Sequence, residues 1–131
     1  MSYISNVIRE VRGNGYFRKV LFTGERSQLV VMDIPSSGEI GEETHTNVEQ
    51  TLFFESGSGV ALLDGSEFPI GAGDVVVVPP GTKHNFKNTG ATPLKVYTIY
   101  APPNHIDGRI HETKAAADAD VADEAFGNNV Q

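Results

Sequence analysis

The sequence has 131 residues, 39% of them apolar and 21% charged, so it is long enough for one domain and is neither disordered nor membrane-like in composition. It contains no cysteine, which excludes a disulfide scaffold, a thiolate metal site and a cysteine nucleophile. Its net charge of −7 argues against a nucleic-acid partner, and because no apolar segment suits a signal peptide or a membrane span, we expect a cytoplasmic protein.

Short runs of β-branched and aromatic residues, separated by glycines and prolines, extend along most of the chain. This punctuation predicts short strands joined by tight turns, and the absence of intervening helical patterns favours an all-β sandwich or barrel. Asp64-Gly65 predicts a two-residue hairpin turn, and Pro79-Pro80-Gly81 predicts a reversal because neither proline can donate to a strand ladder. The predicted strands comprise residues 17–22, 28–34, 48–55, 59–63, 67–70, 74–78, 83–87 and 94–100.

The C-terminal part of the chain has a different character, because Pro102-Pro103 ends the last predicted strand and alanines follow. One helix is predicted over residues 113–125 with Thr113 as its N-cap, and residues 127–131 are expected to fray. The expected organisation is a single domain over residues 1–131, with a barrel core at about 17–101 and a C-terminal loop and helix at about 102–126.

Several charged and imidazole side chains are expected to be solvated rather than functional. The charged ones are Arg18, Lys83, Lys87 and the C-terminal acids Asp118, Asp120, Asp123 and Glu124. In an alternative interpretation Arg18, Lys83 and Lys87 attract an anion, but the negative net charge favours solvated side chains. His105 and His111 are expected to lie in an exposed connector after the last strand. In a second interpretation the connector folds over the barrel mouth, where one imidazole serves as an acid–base group.

The segment 73–88 carries the clearest chemical pattern in the chain. It contains a buried strand, a rigid reversal and a second strand that begins with His84. Along that second strand His84 and Phe86 share one face, while Lys83 and Lys87 lie on the other. Because the face without lysines is the inward one, we expect His84 to point into the barrel.

The spacing of this segment resembles the second conserved motif of the cupin superfamily. The matching positions are Gly73, Pro79, Gly81, His84 and Asn88. The resemblance extends over about residues 28–100. It implies an all-β cupin jelly-roll barrel, often homodimeric, with a metal ion inside the barrel and His84 as one of its ligands; the predicted C-terminal helix would follow this barrel.

The first cupin motif occurs upstream in altered form. In the family pattern a His-x-His pair is followed by a glutamate; here His45 takes the place of the second histidine and Glu43 that of the first. Two residues compete for the glutamate position, Glu49 and Gln50. Gln50 has the family's spacing to Gly57, so it is the better match.

Strand alternation favours the same assignment. Gln50 shares a face with Leu52 and Phe54, whereas Glu49 shares the opposite face with Glu55. We therefore expect Gln50 inside the barrel and Glu49 at the surface.

The resemblance thus implies a divalent-metal site formed by Glu43, His45, Gln50 and His84, with Mn, Fe, Ni or Zn as the ion. Two nitrogen and two oxygen donors favour harder ions such as Mn or Fe(II) over Cu, and two histidines with one carboxylate would also suit non-haem iron. Three of these four residues have a structural alternative as well. His84 would be a satisfied core histidine, Glu43 a solvated loop carboxylate and Gln50 a buried amide.

The sequence is also similar to small bacterial cupins described as sugar-phosphate-isomerase-like. The leading hypothesis is therefore a metal-dependent small-molecule enzyme, either a sugar isomerase or epimerase or an Fe(II) dioxygenase, with Leu52, Phe54 and Phe86 lining the ligand cavity. Two alternatives remain open. One is a non-catalytic small-ligand-binding or sensor domain, and the other is a remnant that no longer binds metal.

Overall fold

Antiparallel strands form most of the chain between residues 18 and 101 of the computed structural model, which describes residues 1–130. The strands are β1 Arg18–Thr23, β2 Gln28–Ile34, β3 Glu49–Ser56, β4 Ser58–Leu63, β5 Ser66–Gly71, β6 Val75–Val78, β7 His84–Asn88, β8 Leu94–Ala101 and β9 Ile110–His111. The helices are α1 Val7–Gly13, α2 Lys114–Ala119 and α3 Val121–Val130. No helix among residues 1–130 has the length and apolar character needed to cross a bilayer.

Two sheets face each other around the core. The larger has the strand order β6-β3-β8-β2-β1-β9, and the smaller has the order β5-β4-β7. All of the strand pairs are antiparallel. This arrangement confirms the predicted all-β jelly-roll barrel followed by a C-terminal helical segment.

Side-chain alternation along the strands decides which residues form the core. In β3, Gln50, Leu52 and Phe54 are buried while Glu49 is exposed, as the strand alternation predicts. The rings of Phe54 and Phe86 lie 5.7 Å apart, centre to centre, and join the two sheets. Burial of such apolar surface is the main stabilising contribution to a barrel of this size.

The local turn chemistry explains why the strand predictions are accurate. All eight predicted strands occur, with each boundary within one residue of its predicted position. Asp64 and Gly65 have φ of 49° and 85°, the positive values that the predicted hairpin turn requires.

The predictions for the two chain ends are less accurate. α1 was not expected; Asn6 caps it by accepting a hydrogen bond from the backbone N–H of Arg9. Thr113 is the predicted N-cap, but the single predicted helix is two helices, because α2 ends at a cap on Asp120. The expectation that residues 127–131 fray is wrong as far as Val130, which is helical; Gln131 lies outside the described residues.

Candidate metal centre and cavity

An irregular segment, residues 38–45, runs beside β7 and brings two candidate ligands next to His84. The backbone groups of Glu43 and His84 exchange two hydrogen bonds of 2.9 Å each. In the reversal that precedes β7, the N–H of Gly81 donates to the carbonyl of His45 at 2.7 Å. Gly81 has φ +85°, a conformation that glycine adopts readily, so the Pro-Pro-Gly reversal helps to fix the position of His45.

Glu43, His45 and His84 come together as a cluster, which we call the candidate metal centre. One donor atom from each residue lies within 4.8 Å of the donor atoms of the other two. Glu43 Oε2 is 3.0 Å from His45 Nε2, and the two imidazole rings are 5.2 Å apart, centre to centre. A carboxylate oxygen and two imidazole nitrogens at this separation form a donor set that suits Mn, Fe, Ni or Zn.

The hydrogen bonding of His84 leaves one ring nitrogen available to a metal. Its Nδ1 lies 2.8 Å from the carbonyl oxygen of Thr82, which can only accept, so the Nδ1–H donates. The lone pair of the neutral ring is therefore on Nε2. A backbone carbonyl commonly orients a metal-binding histidine in this way.

His45 contains a buried nitrogen that the protein does not satisfy. Its Nε2 is buried and forms no hydrogen bond among the residues that the structure describes. Glu43 Oε2 is close, but it lies off the direction in which an Nε2–H would donate. A buried polar nitrogen without a partner is costly, and a metal ion bound between Glu43 and His45 would satisfy it.

The electrostatics of the cluster favour the protonation states that metal ligands need. Burial acts to raise the pKa of Glu43, but the neighbouring His45, Arg18 and His84 outweigh it and bring this pKa below its ordinary value. Burial lowers the pKa of His84, although the bond to the Thr82 carbonyl opposes this. Glu43 is thus ionised and His84 neutral near pH 7.

Gln50 lies on the inner face of β3, and its amide nitrogen donates to Thr98 Oγ1 at 3.2 Å. Thr98 in turn donates to the carbonyl of Thr51 at 2.8 Å. The amide oxygen is therefore the atom of Gln50 that could serve as a ligand. Glu49, the competing residue, is exposed.

A cavity of about 490 Å³ opens beside the candidate metal centre. On one side it is bounded by the start of β1 and by residues 40–45, and on the other by the segment after β8 and the C-terminal helices. Its lining comprises Phe17, Arg18, Ile40, Glu42, Glu43, Thr44, His45, Asn104, His105, Ala117, Asp118, Asp123, Glu124, Gly127 and Asn128.

The three residues predicted to contact a ligand lie deeper than this cavity. Leu52 and Phe86 are completely buried, and Phe54 is only 2% exposed. All three belong to the hydrophobic core and are absent from the cavity lining. Their contact with a ligand stays a prediction.

The segment that follows the last long strand folds over the barrel mouth, so the exposed connector favoured by the sequence is wrong. His105 is 8% exposed, and its Nδ1 lies 2.7 Å from Oδ2 of Asp123. The other carboxylate oxygen of Asp123 accepts from the N–H of Ile106 at 2.7 Å. Gln28 anchors the same segment, because its Oε1 accepts from the N–H of His105 at 3.0 Å.

Asp123 and Arg18 were both expected to be solvated, and both expectations are wrong. Asp123 is 5% exposed and Arg18 is 6% exposed. Arg18 shares the inner face of β1 with Val20, so strand alternation was the signal that could have identified it. No comparable local signal marks Asp123, because its burial depends on how α3 docks against the barrel.

Comparisons with known proteins agree with this fold. A family model described as a cupin domain matches residues 30–100, the range that contains the whole candidate metal centre. The protein YrkC of Bacillus subtilis is 44% identical over 121 residues, which are 88% of this chain and 65% of YrkC; the chain thus spans less than two thirds of that relative. The crystal structure of BH2720 from Bacillus halodurans has a TM-score of 0.89 at 37% identity and covers 91% of this chain and 95% of its own. An oxalate-binding protein of Thermotoga maritima is 31% identical over 68 residues, 52% of this chain and 56% of its own length.

Proposed function

We propose that this chain, which belongs to the cupin family, binds a divalent metal ion and a small molecule at the mouth of its barrel. The observation that carries the proposal is the candidate metal centre itself. Glu43, His45 and His84 present their donor atoms within 4.8 Å of one another, and His45 Nε2 is buried without a hydrogen-bond partner.

Three residues would hold the ion, and Gln50 could serve as a fourth ligand. Glu43 would supply a carboxylate oxygen, while His45 and His84 would each supply Nε2. The amide oxygen of Gln50 is a weaker donor and would complete the set or leave that position to a ligand. When bound, the ion would supply Lewis acidity toward an oxygen of the small molecule.

His105 is the residue best suited to move a proton in an enzymatic reaction. It lines the cavity, and its Nδ1–H donates to Asp123, so the lone pair of the neutral ring is on Nε2. Burial lowers the pKa of His105, although the hydrogen bond to Asp123 opposes this, so the ring is neutral near pH 7 and can accept a proton. We therefore favour an enzyme of the isomerase, epimerase or dioxygenase class.

A non-catalytic ligand-binding or sensor domain is the second candidate. The observation in its favour is that Asp123, a buried acid of the cavity lining, is already paired with His105. The name of the oxalate-binding relative supports small-molecule binding of either kind.

We also propose a homodimer, for which the exposed apolar side chains Val75, Val77 and Ile99 offer a surface.

Metal titration tests the proposed site. Purified protein is stripped with a chelator and titrated with Mn²⁺, Fe²⁺, Ni²⁺ or Zn²⁺ by calorimetry. We expect one ion per chain, and a loss of affinity of at least about 100-fold in Glu43→Gln and in His84→Ala. Glu42→Gln is the matched control, because it removes an exposed charge next to Glu43 and should bind as wild type does.

Two results would refute the metal site. One is that wild type takes up none of the four ions; the other is that Glu43→Gln binds as tightly as Glu42→Gln.

Turnover then separates the two functions. For an enzyme, His105→Gln should abolish turnover of a substrate while changing its binding only a few-fold, whereas a sensor domain binds its ligand and releases it unchanged.

A further inference from the structure

Arg18 places a positive charge inside the cavity, where the metal proposal gives it no role. Its side chain starts from the inner face of β1, is 6% exposed and belongs to the cavity lining. A guanidinium stays protonated at any accessible pH, so its burial is expensive unless an anion or several acceptors surround it.

The groups in contact with this guanidinium are uncharged, and the buried Tyr100 hydroxyl is one of them. Nη1 lies 3.3 Å from Nδ1 of His111, and the guanidinium carbon lies 5.3 Å from the centre of the Phe17 ring. Nε is buried and has no hydrogen-bond partner among residues 1–130. No carboxylate of those residues forms an ion pair with Arg18.

Glu43 lies near enough for Arg18 to lower its pKa, but the two do not form an ion pair, and the acids of the C-terminal segment have other partners. Asp120 accepts two hydrogen bonds from Arg109, of 2.7 and 3.1 Å, and a third contact from His111 Nε2 at 2.8 Å. Asp123 accepts from His105 and from a backbone N–H. The hydrogen bonds of these two carboxylates thus go to other side chains and to backbone N–H groups, and neither carboxylate pairs with Arg18.

We propose that Arg18 binds a carboxylate group of the small molecule that occupies the cavity. A planar guanidinium can form two parallel hydrogen bonds with a carboxylate, and desolvation strengthens such charge-assisted bonds. Because Arg18, Glu43 and His45 line the same cavity, a ligand held at Arg18 lies in the space that the candidate metal centre faces. This inference rests on the proposed function in one respect, because both take this cavity as the place where the small molecule binds.

The charge of the lining favours a carboxylate monoanion over a phosphate dianion. Five carboxylates line the cavity with Arg18: Glu42, Glu43, Asp118, Asp123 and Glu124. Their repulsion rises with the charge of the ligand, whereas the single guanidinium can neutralise only one negative charge. We therefore assign Arg18 to small organic acids rather than to phosphate esters.

The first test uses the wild-type protein, stripped of metal, and observes Arg18 directly. Protein labelled with ¹⁵N is titrated with acetate, pyruvate or lactate and with the matching amides acetamide, pyruvamide and lactamide. We expect a saturable shift of the Arg18 Nε–H resonance with at least one acid, and affinity on the order of tenfold higher than for its amide. The resonance of Arg109, already paired with Asp120, serves as the internal reference.

The second test uses variants. Arg18→Gln should abolish the preference for the acid over its amide, and Arg18→Lys, which retains the charge but not the planar fork, should bind the acid about tenfold more weakly. Lys19→Gln is the matched control, since it removes the adjacent charge from the other face of β1, and it should bind as wild type does.

The proposal is overturned if none of the three acids binds more tightly than its amide, or if Arg18→Lys and Arg18→Gln keep the wild-type preference. It is also overturned if inorganic phosphate binds more tightly than all three acids. The titration of metal-free wild type distinguishes this proposal from the metal proposal. A wild type that takes up none of the four ions but still binds an acid more tightly than its amide would refute the metal site and leave the role of Arg18 standing.

Discussion

The two sides of the cavity are held in place by different forces. On the barrel side, residues 38–45 form backbone hydrogen bonds with β7, including the two 2.9 Å bonds between Glu43 and His84. On the opposite side, the C-terminal segment (residues 102–130) pairs with β1 through the two-residue strand β9. Gln28 anchors its first residues, and Asp120 and Asp123 tie the C-terminal helices to residues 105–111 of the same segment. The candidate metal centre thus belongs to the sheet framework, while His105 belongs to a segment attached to it.

This difference implies two levels of stability within one chain. Backbone pairs in the long strands open only with much of the barrel, whereas a segment held by a two-residue edge strand and a few polar side chains can open locally at a smaller cost in free energy. We expect the barrel side to stay formed when the C-terminal segment is released. The following predictions test this separation.

The largest effect is expected from Phe86→Ala on the barrel side. Phe86 is completely buried and its ring lies 5.7 Å from that of Phe54, so truncation leaves a cavity between the two sheets. We expect the free energy of unfolding to fall by about 3–5 kcal/mol, measured by urea denaturation. Phe68→Ala is the control, because Phe68 is 48% exposed, and it should cost at most about 1.5 kcal/mol. Equal losses in the two variants would contradict the assignment of Phe86 to the core.

A smaller and more local effect is expected from Asp123→Ala. The substitution leaves the buried Nδ1–H of His105 and the partly buried N–H of Ile106 without their acceptor, which should cost about 2–3 kcal/mol. Hydrogen exchange should become faster at Ile106, where the N–H loses its acceptor, and stay slow in β3 and β8. Glu124→Ala, at the next and exposed position of α3, should change neither quantity. Faster exchange throughout the barrel would show that the two sides are one cooperative unit.

The C-terminal segment should also weaken in mild acid through His105. Burial lowers the pKa of His105, and the nearby Arg18 adds to this, whereas the hydrogen bond to Asp123 and the charges of Asp123 and Glu43 oppose it. The ring of Tyr100 packs against the imidazole. Below the ordinary value of 6.5 the unfolded chain binds a proton that folded His105 does not, so the free energy of unfolding falls as pH falls.

His105→Gln isolates this contribution. Metal-free wild type and variant are unfolded with urea between pH about 7 and 5. Wild type should lose more stability over that interval, since the other titrating groups, His84 among them, are common to both proteins. A variant whose stability depends on pH as steeply as that of wild type would show that folded His105 takes up its proton normally.

The local sequence pattern predicted much of the barrel and of the candidate metal centre. Strand alternation and turn residues act over a few positions, which is why all eight predicted strands occur and why Gln50 lies inside and Glu49 outside. The candidate metal centre was identified because the positions of His45 and His84 could be aligned with a family pattern. Their role as metal ligands stays a prediction.

The C-terminal side could not be predicted in the same way. Its two helices have 6 and 10 residues, so their stability depends on docking rather than on intrinsic propensity. Asp123 and His105 are buried only because that docking brings them together, and a charged residue in an exposed-looking helix gives no local sign of it. α1, with 7 residues, escaped prediction for the same reason.

The smallest effect is expected from Lys114→Gln, which removes an ion pair at the surface of the C-terminal segment. Lys114 Nζ lies 2.8 Å from Asp118 Oδ2, but the two side chains are 36% and 63% exposed. An exposed pair four residues apart contributes about 0.3–0.5 kcal/mol, and lysine at the start of a helix is unfavourably placed in the helix dipole. Urea denaturation should therefore show a loss of about 0.5 kcal/mol or less, which about 1 M salt should abolish. Asp118→Asn should behave in the same way, whereas a loss in either variant as large as that of Asp123→Ala would mean that surface charge, and not the buried Asp123 carboxylate, holds the segment over the cavity.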